Sequence, residues 1–391
     1  MSEVRFHERP RFPRGFRCAS RHVGLKPNAK DLALFASEVD AAAAAVFTRN
    51  QFPGAPVILG RETLRAGRLR AIVVNSKVSN VATGARGLEH ARRMAAAAAA
   101  EVGSIADRVL VSSTGVIGVA LPIDKIEAGI RGIARELQDD PLVGAEGIMT
   151  TDTHPKALSA SVGDATITWV AKGSGMIAPD MATMLVYVFT DARFDAPALD
   201  RMLRRAVHLS FNMLSVDSDT STSDTCALLA NGLAGDIAPD DFLDVLTAGC
   251  IRMTEVLARD GEGAKHLLRA IVRGATNEAD ARRIAKSLIN SPLVKTMVFG
   301  ADPNVGRLLM AVGKCFECTI RPDTTDASIN GHQVVRGGAR VDFDDAAVRK
   351  ALATEVVDLE VDLGIGTATA TGYGCDLTQG YIDENAAYYS S

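Results

Sequence analysis

The segment Met184–Phe189 reads MLVYVF, an apolar run of strand length with no polar interruption. A strand wetted on one face alternates apolar and polar residues, so an unbroken run needs cover on both faces. The run therefore belongs inside a layered α/β or α+β architecture. Other segments supply the layers. Arg70–Asn75 (RAIVVN), Arg108–Ser112 (RVLVS) and Ala165–Ala171 (ATITWVA) read as strands. Leu88–Val102 reads as a helix that Gly103 is placed to end. Asp195 is an N-cap, with Pro197 in the first turn of a helix whose apolar face is Leu199, Met202, Leu203 and Ala206.

Downstream, Asp240–Arg259 carries Phe242, Leu246, Gly249 and Met253 in helical phase, and Ala279–Ile289 carries Ile284, Ala285 and Leu288. Leu267–Val272 is a strand, and Val357–Leu363 (VDLEVDL) alternates as a strand with one wet face. Asn330-Gly331 between short strand-like runs is a hairpin signal. The alanine runs Ala41–Ala45 and Ala95–Ala100 read as helix on propensity. No repeat and no Pro/Ser-rich linker divides the chain, and a smaller α/β region is expected after a core of about residues 1–300, over 301–391.

Lys and Arg number 43 against 47 Asp and Glu, a net charge of −4, which argues against a general nucleic-acid or membrane-surface binder. No apolar run approaches the roughly 18 residues of a membrane span, and the N-terminus lacks the apolar core of a secretory signal. Six scattered cysteines suit a reducing cytoplasm. Cys315-x-x-Cys318 lacks a second pair or nearby paired histidines, and Asp217, Asp219 and Asp224 surround Thr222 where a calcium loop needs glycine, so no metal site is expected.

Chemistry concentrates around three segments. Lys172-Gly173-Ser174-Gly175-Met176 completes neither phosphate-loop template and reads as a tight turn between two strands. Ala182-Thr183 then stands at a loop-to-strand junction. A small residue before Thr is also what a self-processing N-terminal nucleophile requires, because cleavage would free an α-amine titrating near pH ~8 to act as base for its own hydroxyl. Ser112–Gly118, at the end of a strand, reads equally as a polar turn and as a hydroxyl beside a glycine amide able to hold an oxyanion.

STGVIG at Ser113–Gly118, MTTDT at Met149–Thr153, AKGSGMIAPDMATML at Ala171–Leu185 and DTSTSDT at Asp219–Thr225 resemble the ornithine acetyltransferase (glutamate N-acetyltransferase) family. So do DGEGA at Asp260–Ala264, NSPLVKT at Asn290–Thr296 and DPNVGR at Asp302–Arg307, and the resemblance runs in order over nearly the whole chain. It implies a self-cleaving fold of the N-terminal-nucleophile type. It also implies acetyl transfer from N-acetylornithine to glutamate in arginine synthesis, with acetyl-CoA a further donor in some members and no resident cofactor. The cut would fall between Ala182 and Thr183, giving fragments 1–182 and 183–391 that stay together as a dimer of such pairs in the cytoplasm.

Carried onto this sequence, the nucleophile is Thr183 and the oxyanion hole Thr114 and Gly115. Substrate contacts fall on Thr150 (with Thr151 beside it), Lys172, Thr183 and Glu262, and on Asn385 and Ser390 near the C-terminus. Lys172 suits a substrate α-carboxylate and Glu262 an ammonium. The chain departs from the family pattern at its end, NAAYYSS, and at Val305, where an aromatic is usual. A hydrolase of the related self-cleaving fold, with water as acceptor, and a relative serving a specialised pathway remain alternative readings.

Overall fold

A computed structural model of the chain describes residues 4–178 and 184–386. The strands in chain order are β1 (Phe16–Arg21), β2 (Leu32–Phe47), β3 (Arg68–Asn75), β4 (Val109–Ser113) and β5 (Lys156–Val162). There follow β6 (Ala165–Lys172), β7 (Leu185–Arg193), β8 (Leu214–Ser215), β9 (Thr225–Asp236) and β10 (Leu267–Ala275). The last are β11 (Asp326–Ile329), β12 (His332–Arg336), β13 (Ala339–Arg340), β14 (Val356–Asp362) and β15 (Ala368–Cys375). The chain divides into two compact units. One takes Met1–Gly173, Pro179–Asn212 and Thr220–Met253; the other takes Ser174–Ala178, Met213–Asp219 and Thr254–Ser391.

The first unit is built on a sheet of order β4-β3-β2-β9-β7-β6-β5, with β1 added to β2. Its two faces carry separate cores. Ala71, Val73, Val109 and Val111 pack with residues of helices Gly84–Glu101 and Ile123–Ile130. Their strand neighbours Ile72, Val74 and Leu110 join Phe35, Tyr187, Phe189 and Ile148. The sheet is thus covered on both sides, and β7 is buried from Leu185 to Ala192, as the unbroken MLVYVF run demands. The mixed α/β class read from the sequence is the class observed. Helix Gly84–Glu101 ends at Gly103, whose φ of +62° lets the Ser104 N–H return to the Ala99 carbonyl at 2.9 Å.

Ala41–Ala45 is strand, not helix. It lies in β2, where Ala42–Phe47 pairs with β9, and helix Ala196–Leu209 packs against the same strand. Alanine's helix preference is worth at most about 0.7 kcal/mol per residue over ordinary residues. Ladder hydrogen bonds override it, and methyl side chains let the helix come close. Ala95–Ala100 lies within helix Gly84–Glu101, as expected.

In the second unit the strand order is β13-β12-β11-β14-β10-β15-β8. Helix Glu278–Asn290 covers β10 and β15 with Ile284, Ala285, Leu288 and Ile289. Val357, Leu359 and Val361 of β14 are buried and their neighbours are not, matching the alternation in the sequence. Asn330 and Gly331 both have positive φ (44° and 78°), the signature of a type I′ hairpin turn. The unit begins well before residue 300. β10 pairs with β14 on one side and β15 on the other, which ties the residues from Thr254 onward to the C-terminal strands. Lys295 of the NSPLVKT segment is buried here, its Nζ donating to the carbonyls of Val216 (2.8 Å) and Cys375 (2.6 Å). Among the described residues no helix is long and apolar enough to cross a membrane.

Gly249, inside helix Pro239–Arg259, meets the Trp169 ring so closely that a Cβ would lie 2.1 Å from it. A glycine-to-alanine change inside a helix ordinarily stabilises by up to about 1 kcal/mol. Here overpacking dominates, and Gly249→Ala should destabilise by about 1–3 kcal/mol. Thermal unfolding of the two proteins checks the sign.

Candidate active site

β3 and β4 run parallel with Asn75 opposite Ser113, so both chains leave the sheet at the same edge. The segments beyond are laced together. The Thr114 N–H donates to the Asn75 carbonyl (3.0 Å), the Val116 N–H to the Lys77 carbonyl (2.9 Å), and the Ser113 hydroxyl to Asn75 Oδ1 (2.6 Å). Between these bonds, the Gly115 N–H and the Thr114 hydroxyl find no hydrogen-bond partner among the described residues. Gly115 has φ +128°, and a Cβ there would lie 2.2 Å from the Lys77 backbone, so the position admits glycine alone. A hydroxyl beside an open N–H can stabilise developing negative charge on an oxygen.

A second cluster forms where β5 begins and β6 ends. Lys156 pairs in register with Ala171, which brings the loop before β5 beside Lys172 and Gly173. The buried Asp152 carboxylate accepts three donors there: Lys156 Nζ (2.5 Å) and the Gly173 N–H (2.7 Å) on Oδ1, and the Thr150 N–H (2.8 Å) on Oδ2. Burial alone would push this carboxyl up. The Lys156 and Lys172 charges and the donated hydrogen bonds reverse that and hold it well below the usual carboxylate range. Lys26 also belongs to the cluster. Its ammonium donates to the carbonyls of Lys30 and Met149, and burial holds its pKa low against the pull of Asp31 and Asp152.

The same edge of the sheet carries the starts of β7 and β9. Lys172 pairs with Leu185, Leu185 with Thr225, and the Thr225 N–H donates to the Met184 carbonyl at 3.0 Å. Asp224, one residue before Thr225, is buried, and its Oδ2 has no hydrogen-bond partner among the described residues. Burial pushes this carboxyl well above the usual range, against the opposing pull of the Ser221 hydroxyl, the Lys172 charge and the Thr48 hydroxyl. Residues 48–55 link this loop to the one after β3: the Thr48 N–H bonds the Asp224 carbonyl, the Gly54 N–H that of Thr222, and the Ala55 N–H that of Asn80. Ala182, Thr183 and Ser390 lie outside the described residues.

In the second unit, Glu262 and Asn385 come together. Glu262 is 8% exposed, and its Oε2 accepts from Asn385 Nδ2 at 2.8 Å. Its N–H donates to the Ser174 carbonyl (3.0 Å), and the Ser174 hydroxyl donates to the Asp260 carbonyl (2.6 Å). Gly175 lies against the Glu262 carboxylate, 2.2 Å from where a Cβ would sit. Asp217 holds the next residues, accepting the N–H groups of Met176 (2.6 Å) and Ile177 (2.8 Å). Tyr381 faces the same acids: burial first, then the charges of Asp217 and Glu262, push its phenol up to about 12.

The chain matches the ArgJ family over residues 17–390. It belongs to that family. It is 43% identical to arginine biosynthesis bifunctional protein ArgJ 2 of Clostridium acetobutylicum, over 96% of this chain and 97% of that one. It is 42% identical to glutamate N-acetyltransferase Oat2 of Streptomyces clavuligerus, over 97% and 98% respectively. Among solved structures, the arginine biosynthesis bifunctional protein of Bacillus halodurans superposes with a TM-score of 0.50 at 35% identity, covering 52% of this chain and 98% of that one.

Of the residues singled out in the sequence, Thr114, Gly115, Thr150 and Lys172 lie in the first unit, and Glu262 and Asn385 in the second. Lys172–Met176 is not a tight turn. β6 ends at Lys172 and β7 starts at Leu185, and Ser174–Ala178 between them belongs to the second unit. The burial of Asp152, Lys156 and Asp224 escapes the sequence reading, although Asp152 and Asp224 lie in the quoted motifs, because a charged side chain in a polar motif carries no sign of its burial. Gly115→Ala should cost about 1–3 kcal/mol through its backbone conformation, with the Lys77 contact in addition. Gly118→Ala, also at positive φ but with open space around it, should cost less, and melting temperatures of both variants against the parent test the difference.

Proposed function

We propose that this chain moves the acetyl group of N-acetylornithine to glutamate through an ester on Thr183, after cutting its own Ala182–Thr183 bond. The chain is an ArgJ enzyme, an acyltransferase of arginine biosynthesis. The observation that carries the finer reading is the open pair at Thr114 and Gly115, a hydroxyl and an N–H left without partners in an otherwise tied loop. The solved Bacillus halodurans chain supports the cut: nearly all of it matches about half of this chain, close to the share that residues 183–391 make up.

In this mechanism the freed α-amine of Thr183 takes the proton of its own hydroxyl. Oγ attacks the acetyl carbonyl carbon, and the oxyanion forms against the Thr114 hydroxyl and the Gly115 N–H. The C–N bond breaks as the ammonium returns its proton to the leaving nitrogen, and ornithine departs. The glutamate amine then attacks the ester, loses a proton to the Thr183 amine, and leaves as N-acetylglutamate while Oγ recovers its proton. Lys172 receives the α-carboxylate that donor and acceptor share, and Thr150 lies beside it through Asp152. Glu262, with Asn385 against it, receives the ornithine ammonium, and Ser390 adds a hydroxyl. Acetyl-CoA as a second donor accords with the word bifunctional in the relatives' names. The cleaved pairs assemble in twos, and the enzyme works in the cytoplasm.

The purified protein should run as two associated fragments, 1–182 and 183–391, and Thr183→Ala as one chain; an active enzyme that stays uncleaved contradicts the reading. Thr114→Ala should lower kcat by roughly 10²–10³ while KM for acetylornithine changes little, because the donor acts mainly in the transition state. Glu262→Gln should raise KM for acetylornithine more than for glutamate, and equal effects on both would remove the ammonium role.

A further inference from the structure

Asp152 is where three donors meet a single acceptor group. Lys156 Nζ, the Gly173 N–H and the Thr150 N–H all point at its two oxygens, and the Asp152 and Lys156 side chains are sealed from water. Among these groups only a carboxylate offers enough acceptor sites for three donors. An asparagine would turn one oxygen into an NH₂ and set donor against donor.

Stability alone does not account for such a pair. Removing two charges from water costs several kcal/mol per ion, and a well-packed apolar pair of similar volume commonly holds a fold as well or better. What an apolar pair cannot do is fix two loops by their backbone N–H groups. Here one carboxylate joins the loop that carries Thr150 to the Lys172-Gly173 step at the end of β6. Lys172 is buried at that step, directly before the Gly173 N–H that Asp152 holds, and its charge helps keep the Asp152 carboxyl ionised.

We propose that Asp152, charge-balanced by Lys156, is the positioning residue of the substrate-carboxylate site: it fixes the backbone on either side of the pocket and so sets where the Lys172 ammonium stands. The inference rests on the reading of Lys172 given above. It assigns Asp152 no part in bond making and no contact with substrate. Its loss should therefore appear in substrate capture rather than in turnover or in self-cleavage.

The test uses the full-length protein carrying Asp152→Asn together with Lys156→Met, which removes both charges of the sealed pair. Self-cleavage, melting temperature, and KM and kcat for acetylornithine and glutamate are measured beside the parent. The expected result is wild-type cleavage, a modestly lowered melting temperature, KM raised about tenfold or more for both substrates, and kcat within about threefold. Unchanged KM in a folded, cleaved double variant overturns the proposal, as does a fall confined to kcat. If the double variant melts far below the parent, Asp152→Glu decides. It keeps the charge and both acceptor oxygens on a longer arm, and it should raise KM with kcat preserved; a wild-type KM overturns the proposal. A parent enzyme that binds and turns over both substrates while Lys172→Met leaves both KM values unchanged would instead sink the underlying reading of Lys172, so the two failures are distinguishable.

Discussion

The register of β7 between β6 and β9 decides where the chemistry-bearing residues fall. With Lys172 opposite Leu185 and Leu185 opposite Thr225, one edge of the sheet collects the end of β6, the residue after Thr183, and the loop that holds Asp224. A slip of one residue would turn every side chain of β7 to the other face. Because β7 is buried on both faces from Leu185 to Ala192, with Tyr187 and Phe189 packed into an apolar core on one of them, no slipped arrangement keeps the same fit. The burial that makes MLVYVF an unbroken run is therefore also what fixes the site.

Buried charge is the second constraint. Around the end of β6 stand Lys26, Lys156 and Lys172, with Asp152 ionised among them and Asp224 pushed toward its neutral form. Two buried carboxyls that both feel the Lys172 charge are driven in opposite directions by the rest of what faces them. Asp152 has two cations and two backbone N–H donors, whereas burial outweighs the partners of Asp224. Under the proposed function, these cations suit a region that draws in amino acids by their carboxylates. In the second unit the sign reverses, with Glu262, Asp217 and Asp260 around the segment that follows Gly173.

Much of the fold was legible because the signals were local. Asp195 caps its helix by accepting the Ala198 N–H, Gly103 closes another, and Asn330-Gly331 turns its hairpin, each through chemistry confined to a few residues. Ala41–Ala45 was not legible, since its strand form depends on β9, nearly two hundred positions downstream. The start of the second unit was hidden for the same reason: it depends on β10 pairing with two strands from the end of the chain. At the site, composition and spacing alone left Ser112–Gly118 balanced between a turn and an oxyanion site, and the roles of Lys172 and Glu262 came from the family motifs. Asp152 and Lys156, four residues apart, look in sequence like any solvated ion pair, and only the fold shows them sealed from water.

The account stands on an acetyl group passing through the enzyme itself. The most direct measurement is intact mass spectrometry of purified enzyme mixed with N-acetylornithine in the absence of glutamate, followed by peptide mapping. The prediction is that the fragment beginning at Thr183 gains the mass of one acetyl group, located on Thr183, and loses it when glutamate is added. Full transferase activity with no acetyl adduct on either fragment, or with the adduct on another residue, would contradict it.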